Sequence, residues 1–316
     1  MRKFKLMTVR NERQFRACTG LSQEKFDLLL PEFAKCLQLD RQRHYQNHRL
    51  QRKRKPGGGR KGALFTPDLK LFFILFYLKN YPTFDVLGCW FDLSPAKAKE
   101  NVVKLLPLLK QAEKRLRILP HRHFKPAHND KQGTDKTQKI TIDATERPCC
   151  RPRHARQQKH YFSGKKRHHT LKNTVIGDGE KGIQVIGPTT AGSHHDYALL
   201  KKELAPRQPG LSTVEAWVDL GYQGIKDRYP AFHEIHIPYK KPRRSKANPN
   251  PMLTSLQKKE NRAISRVRIA VEHLIGDLKI FQILGNRFRN HLHTMADQVI
   301  LVVAGLCNLK NNYIVQ

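Results

Sequence analysis

The chain has 316 residues, 39% of them hydrophobic, which is room for about two domains with buried cores. Lys and Arg number 60 against 26 Asp and Glu, a net charge of +34 that points to a polyanionic partner, nucleic acid first among them. A membrane surface fits less well: no amphipathic helix with exposed Trp or Phe stands out, and the longest apolar runs, Leu71–Leu78 and Val299–Leu306, are too short to span a bilayer.

The start, Met1-Arg-Lys-Phe-Lys, has no apolar segment after its charges, so no secretory signal is read there. Cys18, Cys36, Cys89, Cys149, Cys150 and Cys307 form no Cys-x-x-Cys, and the adjacent pair suits neither zinc nor an ordinary disulfide. Free thiols in a reducing compartment are expected.

In chain order, Leu21–Leu37 reads as a helix with Ser22 at its N-cap and Phe26, Leu29, Leu30, Phe33 and Leu37 on one face. It gives a helical segment over 1–40. Residues 41–62 then turn basic and end in glycines, reading as a solvated linker or as an arm that orders on DNA through Arg52, Lys53, Arg54, Lys55, Arg60 and Lys61. Thr66-Pro67-Asp68 starts the next helix, with Pro at N1. A short helix over Thr83–Phe91, the turn Asp92-Leu93-Ser94 and a third helix to about Leu109 form a helix-turn-helix, so 63–132 reads as a DNA-binding domain. The third helix would offer Lys97, Lys99 and Lys104 to a groove.

Past a polar boundary at Gly133–Lys139 the pattern becomes α/β, and 133–316 reads as one domain. Lys139–Thr145 alternates as a strand, with Asp143 in its middle. A carboxylate there needs a positive partner, either a bound cation or a nearby Lys or Arg. Strands follow at His169–Gly177 and Gly182–Thr189 around an Asp-Gly turn, then a helix opened by Ser193 and Asp196 in capping-box spacing. Strands at Val214–Val218 and Ile235–Tyr239, a basic loop over 240–251, a long helix over about 256–284 and a last one over about 292–311 complete the chain.

Three acids stand out by position: Asp143 in a strand, Asp219 at a strand end, and Glu272 inside the long helix. On that helix Arg268, Glu272 and Lys279 fall within about 40° of one another, beside an apolar stripe of Ile264, Val267, Val271, Leu274 and Leu278. A helix packed on the sheet brings Glu272 to the aspartates. Converging carboxylates repel unless a divalent cation sits among them, and oxygen-only ligands suit Mg²⁺ or Mn²⁺. Two such ions about 3.5–4 Å apart support phosphodiester chemistry. Taken singly, Glu272 also fits a surface ion pair with Arg268.

The segments IDATERP, YFSGKKRHHTLKN, GSHHDYALL, DLGYQG and RVRIAVEHLIGDLK resemble the DDE transposases of bacterial insertion sequences, closest to the IS-five-like group whose eukaryotic relatives are Harbinger-type nucleases. The resemblance runs over about 56–311. It implies an RNase H-like catalytic fold, a mixed sheet flanked by helices, with Asp143, Asp219 and Glu272 as catalytic metal ligands for a pair of Mg²⁺ or Mn²⁺ ions and no small-molecule cofactor, in a bacterial cytoplasm at the nucleoid. It also implies a Tyr-Arg-Glu-Lys pattern, met by Arg268, Glu272 and Lys279, while Ser265 stands in the Tyr position. Arg268 and Lys279 would hold phosphates near the scissile bond, with Lys165, Lys166 and Arg167 on the DNA backbone and His195 and Asp196 in support. Lys240, Lys241, Arg243 and Arg244 fit either a backbone contact or a solvated face.

The activity so implied is binding of terminal inverted repeats, water attack to free a 3′-OH, and attack of that hydroxyl on target DNA, by a homodimer on double-stranded DNA. A silent DNA-binding regulator and a hydrolytic endonuclease without strand transfer are the alternatives.

Overall fold

The computed structural model describes residues 3–4, 7–47, 62–126, 137–179, 182–246 and 248–315. It forms two compact units, one of the N-terminal residues up to Leu119 together with Leu278–Ile314, the other of Pro120–Asp277.

In the first unit an antiparallel ribbon, β1 (Lys3–Phe4) and β2 (Met7–Thr8), precedes α1 (Glu12–Thr19), a helix the sequence reading lacks. Helix α2 (Gln23–Asn47) starts as expected, the Ser22 hydroxyl accepting the Lys25 N–H at 3.2 Å. Phe26, Leu29, Phe33 and Leu37 are buried and Leu30 half-buried. The helix continues to Asn47, so residues 41–47 are helical rather than linker. The Arg and Gln of that stretch favour a helix with solvated side chains, and it contains no Gly or Pro. Arg52, Lys53, Arg54, Lys55, Arg60 and Lys61 lie outside the described residues.

Helix α3 (Pro67–Asn80), capped by Thr66, buries Leu71–Leu78 entirely, as expected of an apolar helix surrounded by others. Helices α4 (Phe84–Phe91) and α5 (Pro95–Arg115) start at the caps Thr83 and Ser94. The turn between them closes because residue 88 is Gly: a Cβ there would lie 2.4 Å from the Leu93 carbonyl oxygen. Asp92 takes the left-handed conformation (φ 55°) that turns the chain into α5.

The second unit is built on β3 (Gln138–Pro148), which carries Asp143. After α6 (Ala155–Tyr161) come β4 (Phe162–Ser163), β5 (His168–Gly177), β6 (Ile183–Ile186) and β7 (Thr190–Ala191). Then follow α7 (Asp196–Glu203), β8 (Val214–Val218), α8 (Ile225–Arg228), β9 (Glu234–His236) and α9 (Ser255–Ile280). Strand β3 is antiparallel to β5 and parallel to β8; β5 pairs antiparallel with β4, β6 and β7, and β8 parallel with β9. The path β6-β5-β3-β8-β9 is a mixed, RNase H-like sheet. One face, with Ile140, Ile142, Ile176, Ala216 and Val218, shares a core with Leu200 of α7, Ile225 of α8, Tyr222 and Tyr229. On the opposite face a Cβ added to Gly177 would meet Leu274 Cδ1 at 2.8 Å, so α9 is seated there.

Several boundaries differ from expectation. The strand expected over Gly182–Thr189 stops at Ile186, where Gly187-Pro188 intervenes, and pairing resumes at Thr190. Strand β9 ends at His236, before Pro238. Helix α7 has His195 as N-cap with no side-chain bond, so Ser193 and Asp196 form no capping box.

The chain then returns to the first unit with α10 (Gln282–Gly285) and α11 (His293–Lys310), packed on α3 and α5 respectively. By compactness α10 and α11 fall with the first unit, and Pro120–Asp277 makes up the second. The reason is composition: Val299–Leu309 is buried throughout and needs helices around it. All six cysteines are unbridged. Among the described residues no helix is long and apolar enough to cross a membrane.

Candidate active site

The last register pair of β3 and β8 is Ile142 with Val218. Asp143 and Asp219 follow it at the next step on neighbouring strands, and the period-two alternation turns both toward the α9 face. Strand β8 ends there, in a short turn over Leu220–Tyr222. Glu272 comes from α9, whose Val271, Leu274 and Leu278 are buried, with Ile264 and Val267 half-buried.

One cation meets all three acids. Arg268 Nη1 lies 3.3 Å from Asp219 Oδ1, and Nη2 lies 3.9 Å from both Asp143 Oδ2 and Glu272 Oε1. Sharing Nη2, the last two oxygens can be no farther apart than twice that distance. The Arg268 side chain is 12% exposed and Asp143 21%, against 44% for Asp219 and 57% for Glu272, so the cluster has a dry floor and an open rim. Burial raises the Asp143 carboxyl above its ordinary value; the Ala144 N–H, donated at 2.7 Å, and Arg268 draw it down, while Asp219 and Asp196 push it up.

Two neighbours went unread in the sequence. Tyr222 is buried with its hydroxyl unpartnered, and burial, then Asp143, Asp196, Glu203 and Asp219, hold the phenol well above its usual range. Lys172 of β5 ties Asp196 at 2.8 Å, Glu146 at 3.1 Å and the His194 carbonyl at 2.7 Å. Its signal, a lysine inside a strand, is obscured because it ends a basic, acid-free run from Arg147 to Lys172. Glu203 is pushed to about 7 by burial, against a Thr174 hydrogen bond and Arg122.

Of the other expected contacts, Asp196 acts on the cluster through its charge, which raises Asp143. Lys165, Lys166 and Arg167 are exposed on the β4–β5 turn, held by Arg167 N–H donating to Ser163 O at 2.7 Å and Lys166 N–H to Ser163 Oγ at 3.2 Å. His195 is exposed beside half-buried Asp196. Lys240, Lys241, Arg243 and Arg244 are exposed in the loop after β9. Lys279 is exposed in the part of α9 that belongs to the first unit. On α5, Lys97 and Lys104 mark one edge of the exposed face and Lys99 the other, about 140–160° round the helix, so they flank that face rather than form a row. Lys97 pairs with Glu100 at 2.8 Å and Lys104 with Asp40 at 3.6 Å.

Three carboxylates with no sulfur or imidazole form a donor set suited to a hard divalent ion. Among the described residues no three such groups already close around one point as an ion would require, and Arg268 stands in their midst.

A family model described as DDE superfamily endonuclease matches residues 142–308, and one described as the helix-turn-helix of DDE superfamily endonuclease matches 63–114. A protein of Microchaete diplosiphon, named as a probable transposase for insertion sequence element IS702, is 27% identical over 300 residues, covering 94% of each chain. No solved structure matches the chain.

Proposed function

Because this chain belongs to the DDE superfamily endonucleases, we propose that it is an insertion-sequence transposase that binds the inverted ends of its element, cleaves them and joins them to target DNA. The convergence of Asp143, Asp219 and Glu272 on one guanidinium carries this reading. Those residues would hold Mg²⁺ or Mn²⁺. Bound there as a pair, such ions supply activation of the attacking oxygen and stabilisation of the leaving one.

The chain's own groups do the rest. Asp143 and Asp219, fixed by strand register, set the reaction plane, and Glu272 closes it from α9. Arg268 and Lys279 contact phosphates, Asp196 is held by Lys172 beside the cluster, and the exposed Lys165, Lys166 and Arg167 take the DNA backbone. The helix-turn-helix, with Lys97, Lys99 and Lys104, holds the element end. Handling two ends calls for a homodimer, which light scattering on paired end duplexes measures; a monomer on paired ends counts against it.

The deciding assay incubates the full chain with duplex DNA bearing the element's ends, a target and Mg²⁺. Joined products are expected, and Asp143→Asn, Asp219→Asn and Glu272→Gln each lose them. Nicked or linear products without joining favour the hydrolytic endonuclease. Salt-sensitive binding without cleavage under any divalent metal favours the silent regulator. Cleavage by Asp143→Asn at the parent's rate removes the catalytic assignment.

A further inference from the structure

Asp143, Asp219 and Glu272 share Arg268, yet none of them grips it. A guanidinium built to cross-link a single carboxylate makes two parallel N–H···O bonds of about 2.7–2.9 Å. Arg268 instead stands 3.3 to 3.9 Å from one oxygen of each of three different acids. Its Nε is buried with no acceptor. It cannot shed its proton to escape burial. The acids are therefore neutralised by a cation that is close and always charged but loosely attached.

We infer that Arg268 is the resting counter-ion of the acidic cluster and leaves it for a DNA phosphate, so that the carboxylates become free to hold a divalent ion only when DNA is bound. This inference rests on reading Asp143, Asp219 and Glu272 as metal ligands. A guanidinium amid the three acids repels a second cation placed there, and so weakens ion binding. A phosphate offers Arg268 the bidentate partner it lacks among the acids. The exchange asks for rotation about the bonds of a long side chain and for no shift of the α9 backbone. Coupling of this kind is reciprocal: DNA strengthens ion binding by the factor by which the ion strengthens DNA binding. A nuclease so arranged stays unloaded until its substrate arrives.

The test measures Mn²⁺ affinity of the full chain by the electron-paramagnetic-resonance signal of free Mn²⁺, without DNA and without any activity readout. Arg268→Gln is expected to bind Mn²⁺ about tenfold more tightly than the parent or better. Arg268→Lys, which keeps the charge, is expected to bind no more tightly than the parent. Adding Asp143→Asn to Arg268→Gln removes the gain. A short duplex, corrected for its own Mn²⁺ binding, tightens the parent and leaves Arg268→Gln unchanged. Circular dichroism confirms folding, and Arg268→Met replaces the Gln variant if that one unfolds. Equal or weaker binding by the uncharged variants, Arg268→Gln and Arg268→Met, overturns the counter-ion role while leaving the ligand assignment standing. Absence of Mn²⁺ binding in every form, with and without DNA, overturns the ligand assignment itself.

Discussion

Lys172 in β5 and Asp196 in the first turn of α7 meet at 2.8 Å, and the same ammonium lies 3.1 Å from Glu146. The Lys172 and Glu146 side chains are almost wholly enclosed, so this cation binds strand to helix in a place where water cannot replace it. Lys172→Met leaves two carboxylates without their partner and is expected to cost about 3–5 kcal/mol at pH 7, read from urea unfolding. Burial acts to raise the Glu146 carboxyl, but hydrogen bonds and charge from Ser163, Lys172 and Thr170 outweigh it and hold the group below its ordinary value. A depressed carboxyl contributes stability above its unfolded value and loses it as pH falls. The penalty of the variant should therefore shrink toward low pH; a penalty that does not change with pH would contradict the ion-pair account.

Glu113 of α5 is fully buried, with both carboxylate oxygens unpartnered, and burial holds it well above the ordinary carboxyl range. Its Oε2 lies where a Cβ on Gly305 of α11 would come within 2.5 Å. A group whose folded value is raised stabilises below its unfolded value, and that stability drains away as pH climbs. Amide exchange in α5 and α11 of the parent should accelerate, beyond its intrinsic dependence, as pH rises above the ordinary carboxyl range. Glu113→Met should flatten the trend and add roughly 1–3 kcal/mol at the alkaline end.

Gly88→Ala places a methyl group against the Leu93 carbonyl, a backbone atom that cannot rotate away. The turn between α4 and α5 must open, at a cost of about 1–3 kcal/mol. Thermal melting should show the loss, and fluorescence anisotropy should show weaker binding to element-end DNA.

Replacing Lys165, Lys166 and Arg167 together by Ala should weaken DNA binding at every sequence alike. The slope of log affinity against log salt should fall by about 0.9 for each phosphate contact removed. An unchanged slope would make the β4–β5 turn a solvated face.

Elements with strong local signals were legible in the sequence. Thr66, Thr83 and Ser94 are the observed caps, and Val214–Val218 is a strand over its full predicted length. The acids were legible too, because a carboxylate inside a β-branched strand or beside an apolar helical stripe is conspicuous. Tertiary choices were not. That α11 joins the helical unit depends on which neighbours cover an apolar surface, and periodicity does not name them. Lys172 lay within a basic run, where nothing local marks the one lysine that is buried. The place of Arg268 among all three acids depends on how α9 sits on the sheet; helical spacing suggests its i,i+4 pairing with Glu272 and the resemblance a phosphate contact, neither of which puts it between the aspartates.

Asp143 and Asp219 ride on adjoining strands and keep their spacing as long as those strands stay paired, whereas Glu272 arrives on a helix seated where Gly177 leaves room for Leu274. The trio thus has a single joint, and the joint is a missing methyl group. Any side chain at 177 works as a wedge beneath α9, pressing on Leu274 and on Thr141 Oγ1, which would stand 2.8 and 3.1 Å from its Cβ. Such a wedge separates glutamate from aspartates while leaving each of the three acids chemically intact.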